Sequence, residues 1–70
     1  MEIGATIRKF RKERDMTQEE MANRLGVTPS AVNKWENGNS YPDILLLGPI
    51  ARLLNISLDT LLAFQSELTE

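Results

Sequence analysis

The chain has 70 residues, so it can form at most one small domain with a marginal hydrophobic core. It contains neither cysteine nor histidine, which excludes disulfides, cysteine/histidine zinc sites and the usual neutral-pH general base. The net charge of −2 argues against a nucleic-acid binder, because such proteins are typically basic.

The first predicted helix carries an apolar stripe and most of the positive charge. Ile3, Ile7, Phe10 and Arg14 are spaced at i, i+4, i+7 and i+11, which is typical of an amphipathic helix. Five of the eight basic residues lie within the first fourteen positions: Arg8, Lys9, Arg11, Lys12 and Arg14. The charge is therefore polarised into a basic front and an acidic back, although an ordinary solvated helix explains the pattern equally well.

The second predicted helix follows a turn at 15–16 and has clear signals at both ends. Thr17 followed by Glu20 forms a capping box, in which each side chain bonds a free backbone amide of the first turn. Gly26 ends the helix as a residue free to take positive φ. The acidic residues of the first turn suit the helix dipole, so we interpret them as structural carboxylates.

The third predicted helix has one apolar face and one polar face. Thr28 caps it, and Pro29 occupies the first helical position, where a missing amide does no harm. The helical period places Ala31, Val32 and Trp35 on one face, and we expect Trp35 to anchor the core. The opposite face carries Ser30, Asn33, Lys34 and Asn37.

Two further helices complete the predicted fold. Asp43 caps a fourth helix that runs toward Leu54, but Gly48-Pro49 lies inside it. Because an internal proline removes a backbone hydrogen bond, we expect this helix to kink there or to split into two. Ser57, with Thr60 three residues later, starts a fifth helix through Leu58, Leu61, Leu62 and Phe64.

The short connection between the second and third helices suggests a function. Only about three residues, 26–28, join them, so the helices must meet at a steep angle. Such a pair with an outward polar face is typical of a helix-turn-helix, whose second helix enters the DNA major groove. The pattern alone is moderately specific, and a solvated helix surface is the competing interpretation.

Longer stretches of the chain resemble a known family. The run IRKFRKERDMTQEEMANRLGVTPSAVNKWENGNSYP, followed by LLNISLDTLL, is similar to the Cro/repressor-type helix-turn-helix family, the xenobiotic-response-element class of bacterial and phage regulators. The resemblance covers about 3–64 and implies an all-α, five-helix domain of the lambda-repressor-like type. The most specific pieces are 17–20, 25–28, 35–38 with Pro42, and 56–59.

The resemblance also implies roles for individual residues. Gln18, Asn37 and Gly38 match positions that contact DNA phosphates, and such contacts fix register without reading sequence. Arg11 and Glu36 match a partly buried salt bridge between the first and third helices. Base readout falls on Thr28, Ser30, Asn33 and Lys34, whose side chains suit base edges: lysine pairs with guanine, asparagine with adenine, and the hydroxyls with several bases.

The fourth helix departs from the family pattern in its apolar excess. Leu45, Leu46 and Leu53 occur where the family commonly has polar residues, so this helix has more apolar surface than one core face can use. A contiguous apolar excess on a small domain indicates a partner surface. We predict a homodimer contact through Leu45 and Leu46; alternatively, the Gly48-Pro49 break turns these leucines inward.

These observations predict a DNA-binding domain over 1–65 and a short tail over 66–70. The expected protein is a cytoplasmic transcriptional regulator, a repressor acting as a dimer on a two-fold operator, without enzymatic activity, cofactor or metal. Either it is a minimal Cro-like regulator or it is the N-terminal domain of a longer one. The competing function is that of a protein-interaction module, such as an antitoxin-like or anti-repressor domain, which the acidic net charge favours.

Overall fold

The structure of the protein, a computed structural model, describes residues 3–62. Within this range the chain forms five α-helices without strands: α1 Ile3–Glu13, α2 Gln18–Leu25, α3 Pro29–Glu36, α4 Ile44–Leu54 and α5 Leu58–Leu62. The predicted all-α, five-helix fold is therefore confirmed. Phe64, predicted to continue the fifth helix, lies outside the described residues, as does the predicted tail 66–70.

Within residues 3–62, no helix combines the length and the apolar character needed to cross a membrane. The ends of the helices follow the predicted local signals. The Thr17 hydroxyl accepts from the Glu20 amide at 3.0 Å, and the Glu20 carboxylate accepts from the Thr17 amide at 2.8 Å, which confirms the capping box. Gly26 ends α2 with φ 75°, and Thr28 and Pro29 begin α3 as predicted. Asn55 ends α4 in the left-handed region, a role that sequence reasoning did not assign.

The core lies where α1 and α2 pack against α3 and where α4 and α5 close the other side. Trp35 is 4% exposed, so the prediction that it anchors the core is confirmed. Met21 is fully buried and Met16 packs at the core's edge, consistent with the ability of methionine to fill irregular spaces. The other buried residues of the hydrophobic core are Ile3, Ile7, Ala22, Val32, Ile50, Ala51, Leu54 and Leu61.

A glycine sets how closely α1 approaches α3. A Cβ atom added to Gly4 would overlap the carbonyl oxygen of Trp35 at the end of α3. Only a residue without a side chain allows the two backbones to lie this close. This contact, which the sequence pattern did not reveal, helps to hold the third helix in place.

The fourth helix remains whole across Gly48-Pro49. Residues 44–54 form one α-helix with Pro49 inside it, so the predicted alternative of a split helix is wrong. The physical reason is the position of the proline. Leu45, whose carbonyl loses its partner, is exposed together with Gly48 and Pro49, so water can replace the lost backbone hydrogen bond.

Candidate nucleic-acid interface

The turn between α2 and α3 positions the polar face of α3. The amide of Val27 donates to the carbonyl of Ala22 at 3.0 Å, which closes α2 directly after Gly26. The Thr28 hydroxyl accepts from the Ala31 amide at 3.1 Å and starts α3. These local bonds hold the two helices at a defined angle, as a helix-turn-helix requires.

The outward face of α3 carries the predicted base-reading residues. Ser30, Asn33 and Lys34 are exposed, while Val32 and Trp35 on the opposite face are buried. Thr28 is also exposed; its hydroxyl oxygen serves the helix cap, which leaves its O–H free to donate. The helix therefore presents donors and acceptors to the outside and is held to the core from within.

Gln18, at the start of α2, bridges the inside of the fold and this outward face. Its side chain is half-buried, and its Nε2 donates to Oε1 of Glu36 at 3.0 Å. Its Oε1 accepts from Nδ2 of Asn33 at 3.4 Å. Gln18 thus lies beside a predicted base-reading residue, a contact that spacing in the sequence gave no means of finding.

The end of α3 is also organised by polar contacts. Asn37 is exposed, and its Nδ2 donates to Oδ1 of Asn33 at 3.1 Å. Gly38 has φ 77°, a conformation that glycine adopts without strain. Its amide donates to the Trp35 carbonyl at 3.1 Å, so the phosphate contact predicted for Gly38 would have to share a donor that is already bonded.

Arg11 and Glu36 join α1 to the end of α3. Nε and Nη2 of Arg11 donate to the two carboxylate oxygens of Glu36 at 2.7 and 3.0 Å, a bidentate ion pair. The side chains are only 10% and 2% exposed. Nη1 of Arg11 donates to the carbonyl of Met16 at 2.7 Å. The partners that the family resemblance implied are therefore paired in the structure.

This ion pair changes the charge distribution expected from the sequence. Arg11 was counted in the basic front, but it is buried and neutralised by Glu36, so it adds no positive charge to the surface. Three of the ten acidic residues, Glu2, Glu67 and Glu70, lie near the ends of the sequence, and residues 3–62 contain seven acidic and eight basic residues.

The apolar excess of α4 is exposed at its first turn. Leu45 is 81% exposed and Ile44 is 77% exposed, with Tyr41 just before them at 67%. Leu46 is half-buried and packs against the core. Of the two residues predicted to form the partner surface, Leu45 is exposed and Leu46 is partly covered by the core; the exposed neighbour of Leu45 is Ile44, which the prediction did not include. We call Tyr41, Ile44 and Leu45 the apolar patch.

Comparison with known proteins places this arrangement among regulators. The sequence profile of a helix-turn-helix family matches residues 7–61. The HTH-type transcriptional activator BcrR of Enterococcus faecalis is 32% identical over 69 residues, a match that covers 99% of this chain and 34% of BcrR. The chain thus spans about a third of that relative.

Two solved structures share the fold. The biofilm master regulator SinR, crystallised in complex with DNA, is 33% identical with a TM-score of 0.78; the match covers 86% of this chain and 97% of that one. The hydroxypropylphosphonic acid epoxidase of S. wedmorenis is 32% identical with a TM-score of 0.77. That match covers 84% of this chain and 31% of the epoxidase chain, so only a part of the enzyme resembles this protein.

Proposed function

We propose that this chain, which belongs to the Cro/repressor-type helix-turn-helix family of transcription regulators, is a sequence-specific DNA-binding repressor that acts as a dimer. The polar outward face of α3 carries this proposal. It places an amide, a hydroxyl and an ammonium group on the exposed side of the second helix of a helix-turn-helix, the side that meets base edges in the major groove. A cytoplasmic location follows from the proposed target, chromosomal DNA.

Base reading is assigned to Thr28, Ser30, Asn33 and Lys34, and phosphate contacts are assigned to Gln18, Asn37 and Gly38. The position of Gln18 supports a phosphate contact, because Gln18 is the first residue of α2 and its Nε2 has one hydrogen left after donating to Glu36. Helix N-termini favour anions such as a phosphate. Asn37 and Gly38 are exposed directly after the recognition helix, at the other end of the same face.

Dimerisation is proposed because one recognition helix covers only a few base pairs, too few for a selective site. Two copies related by a two-fold axis would place their α3 helices about 34 Å apart, in successive major grooves. The apolar patch supports a two-fold contact: its exposed side chains follow the 37–40 loop and so lie near the DNA-facing end of α3. Leu45 and Ile44 are the residues expected at its centre.

The test distinguishes residues that read bases from residues that contact phosphates. DNA sites would first be selected from a random pool, and binding of variants to that operator and to its single-base changes would then be measured. Lys34→Ala should weaken binding and relax the preference at one or two base pairs by about 1–3 kcal/mol. Gln18→Ala should weaken binding to non-specific duplexes as well as to the operator, because it removes a phosphate contact, and should leave the preference at the Lys34 base pairs unchanged.

A matched control for Lys34 is Arg52→Ala, which also removes one exposed positive charge but lies in the last turn of α4. It should leave base preference unchanged. If Lys34→Ala and Arg52→Ala give the same preference across the operator panel, then the outward face of α3 does not read bases and the proposal fails.

We propose repression and not activation from the mechanism of operator binding alone. A small domain that occupies an operator overlapping a promoter would exclude polymerase, so we expect repression. The relative BcrR is named a transcriptional activator, and the chain spans only 34% of it. A reporter gene placed behind the selected operator would distinguish the two: expression should fall when the protein is present, and a rise would establish activation.

A second candidate function is a protein-interaction module, which the exposure of Ile44 and Leu45 favours. Binding to bulk duplex DNA as a function of salt separates the candidates. A phosphate-contacting protein loses affinity steeply as salt rises, while an apolar protein interface does not. An enzymatic role is not proposed: the epoxidase shares the fold over about a third of its chain, and a shared fold does not carry chemistry with it.

A further inference from the structure

A continuous chain of side-chain hydrogen bonds runs from the core to the outward face of α3. Nδ2 of Asn37 donates to Oδ1 of Asn33, Nδ2 of Asn33 donates to Oε1 of Gln18, and Nε2 of Gln18 donates to Oε1 of Glu36. The distances are 3.1, 3.4 and 3.0 Å along this order. The inner end is anchored by the ion pair of Glu36 with Arg11. Neither the helical period nor the family resemblance predicted this chain.

The direction of every bond in the chain follows from Glu36. An ionised carboxylate can only accept, so Gln18 must turn its NH2 group toward Glu36. Its carbonyl oxygen then faces Asn33, which must in turn present its own NH2 group. The oxygen of Asn33 is left facing Asn37, which donates to it. Reversing any one amide would bring two donors or two acceptors together.

We propose that Glu36 and Gln18 are positioning residues for base readout, which hold the carboxamide of Asn33 in one of its two orientations. This inference rests on the proposed function, since Asn33 is there assigned to a base edge. It adds a second role to Gln18, beyond its phosphate contact, and a role to Glu36 beyond the ion pair. Specificity at the base pair that Asn33 meets would then depend on two residues that do not touch it.

Orientation matters because an asparagine reads adenine with both ends of its amide. The NH2 group donates to N7 while the oxygen accepts from the N6 amino group, and the reversed amide cannot make this pair. Each end of the Asn33 amide has one bond within the chain and one hydrogen or lone pair left for a base. When its carboxamide is held, Asn33 enters the groove in the orientation that pairs with adenine. An unheld carboxamide would populate both orientations.

This chain of hydrogen bonds is partly exposed in the free protein, and the bond between Asn33 and Gln18 is long at 3.4 Å. DNA bound against α3 would exclude water from these groups. Hydrogen bonds strengthen in such a low-dielectric setting, and a reversed amide would leave polar atoms unpaired there. The effect is therefore expected in the complex, where base preference is measured.

The experiment uses the full chain and the selected operator with all single-base changes. Asn33→Ala identifies the base pair that Asn33 reads. Gln18→Met keeps the length of the side chain and the ion pair of Glu36, but it breaks the link to Asn33. We expect Gln18→Met to reduce the preference at that base pair by about 2- to 10-fold, the value of one or so hydrogen bonds, and to leave the Lys34 base pairs unchanged.

The double variant Asn33→Ala/Gln18→Met measures the energetic coupling between Gln18 and Asn33 in base preference. If Gln18 acts through Asn33, then Gln18→Met should change no base preference once Asn33 is absent, although it should still lower affinity uniformly. Ser30→Ala is the matched control on the same face, because no side-chain bond joins Ser30 to Gln18; it should alter preference elsewhere than at the Asn33 base pair.

A variant of Glu36 tests the origin of the direction. Glu36→Gln can donate as well as accept, so it should relax the same base pair, measured at a temperature where circular dichroism shows the variant to be folded. If it does not fold, Gln18→Met decides alone. A uniform loss of affinity for Gln18→Met, with the preference at the Asn33 base pair intact, overturns the inference. If Asn33→Ala itself changes no preference, then the base-reading assignment of Asn33 under the proposed function is what fails.

Discussion

Replacing Arg11 with methionine should remove a large part of the domain's stability. The change deletes three hydrogen bonds at 2.7–3.0 Å, two to Glu36 and one to the Met16 carbonyl. It leaves the Glu36 carboxylate, 2% exposed, without its counter-charge and with Gln18 as its remaining side-chain donor. Breaking a buried ion pair by removing one partner costs about 3–5 kcal/mol.

This expected loss of stability can be compared with the total free energy of unfolding of the domain. At about 0.05–0.15 kcal/mol per residue, a domain of this length has a free energy of unfolding of about 4–10 kcal/mol. Each kcal/mol moves the melting temperature of so small a domain by about 4–8 °C. Arg11→Met should therefore lower the melting temperature by more than about 12 °C, as followed by circular dichroism at constant pH and salt.

Two controls isolate the cause. Lys12→Met removes an exposed charge from the neighbouring position of α1 and should change the melting temperature by only a few degrees. Arg11→Met combined with Glu36→Leu should regain much of the loss, because no unpaired charge then remains buried. A drop of only a degree or two for Arg11→Met would show that the ion pair contributes little, and the reasoning from its burial would be refuted.

Three further outcomes are expected from the packing. Gly4→Ala should destabilise the domain by about 1–3 kcal/mol, because its Cβ meets the backbone of α3, whereas Gly48→Ala, with open space around it in α4, should stabilise the domain by about 0.5–1 kcal/mol. Thermal melts in which both variants shift the melting temperature in the same direction would contradict this. Thr17→Ala should cost about 1 kcal/mol through loss of the α2 cap, measured in the same way. In sedimentation at micromolar concentration, Leu45→Glu should abolish dimers and the less exposed Leu58→Glu should retain them; a wild type that stays monomeric both alone and on its operator would rule out the dimer.

Helix boundaries could be predicted because their signals are local. The capping box of Thr17 and Glu20 and the positive φ of Gly26 depend on residues within one turn, so the sequence contains all the information needed. The same holds for the two faces of α3, since the helical period separates Val32 and Trp35 from the polar residues. The outward site could be proposed for this reason.

The rest depended on tertiary contacts. In α4, eight of the eleven residues are apolar, so no polar stripe indicates which way the helix faces, and the exposure of Ile44 was not predicted. The proline rule predicted a kink or a split because a proline removes a backbone hydrogen bond; that loss matters less where Pro49 is exposed. The approach of Gly4 to α3 and the bonds of Gln18 involve residues far apart in sequence.

The polar chain from Arg11 to Asn37 means that stability and base reading share residues in this domain. Glu36 accepts from Arg11 inside the fold and from Gln18 toward the surface, so a change at Glu36 alters both properties together. Ser30 and Lys34 lie on the same face of α3 but take no part in this hydrogen-bonded network. We therefore expect recognition of altered operator sequences to arise more readily through substitution of Ser30 or Lys34, where only DNA binding is affected, than through Asn33, whose replacement removes one hydrogen-bond partner from both Gln18 and Asn37.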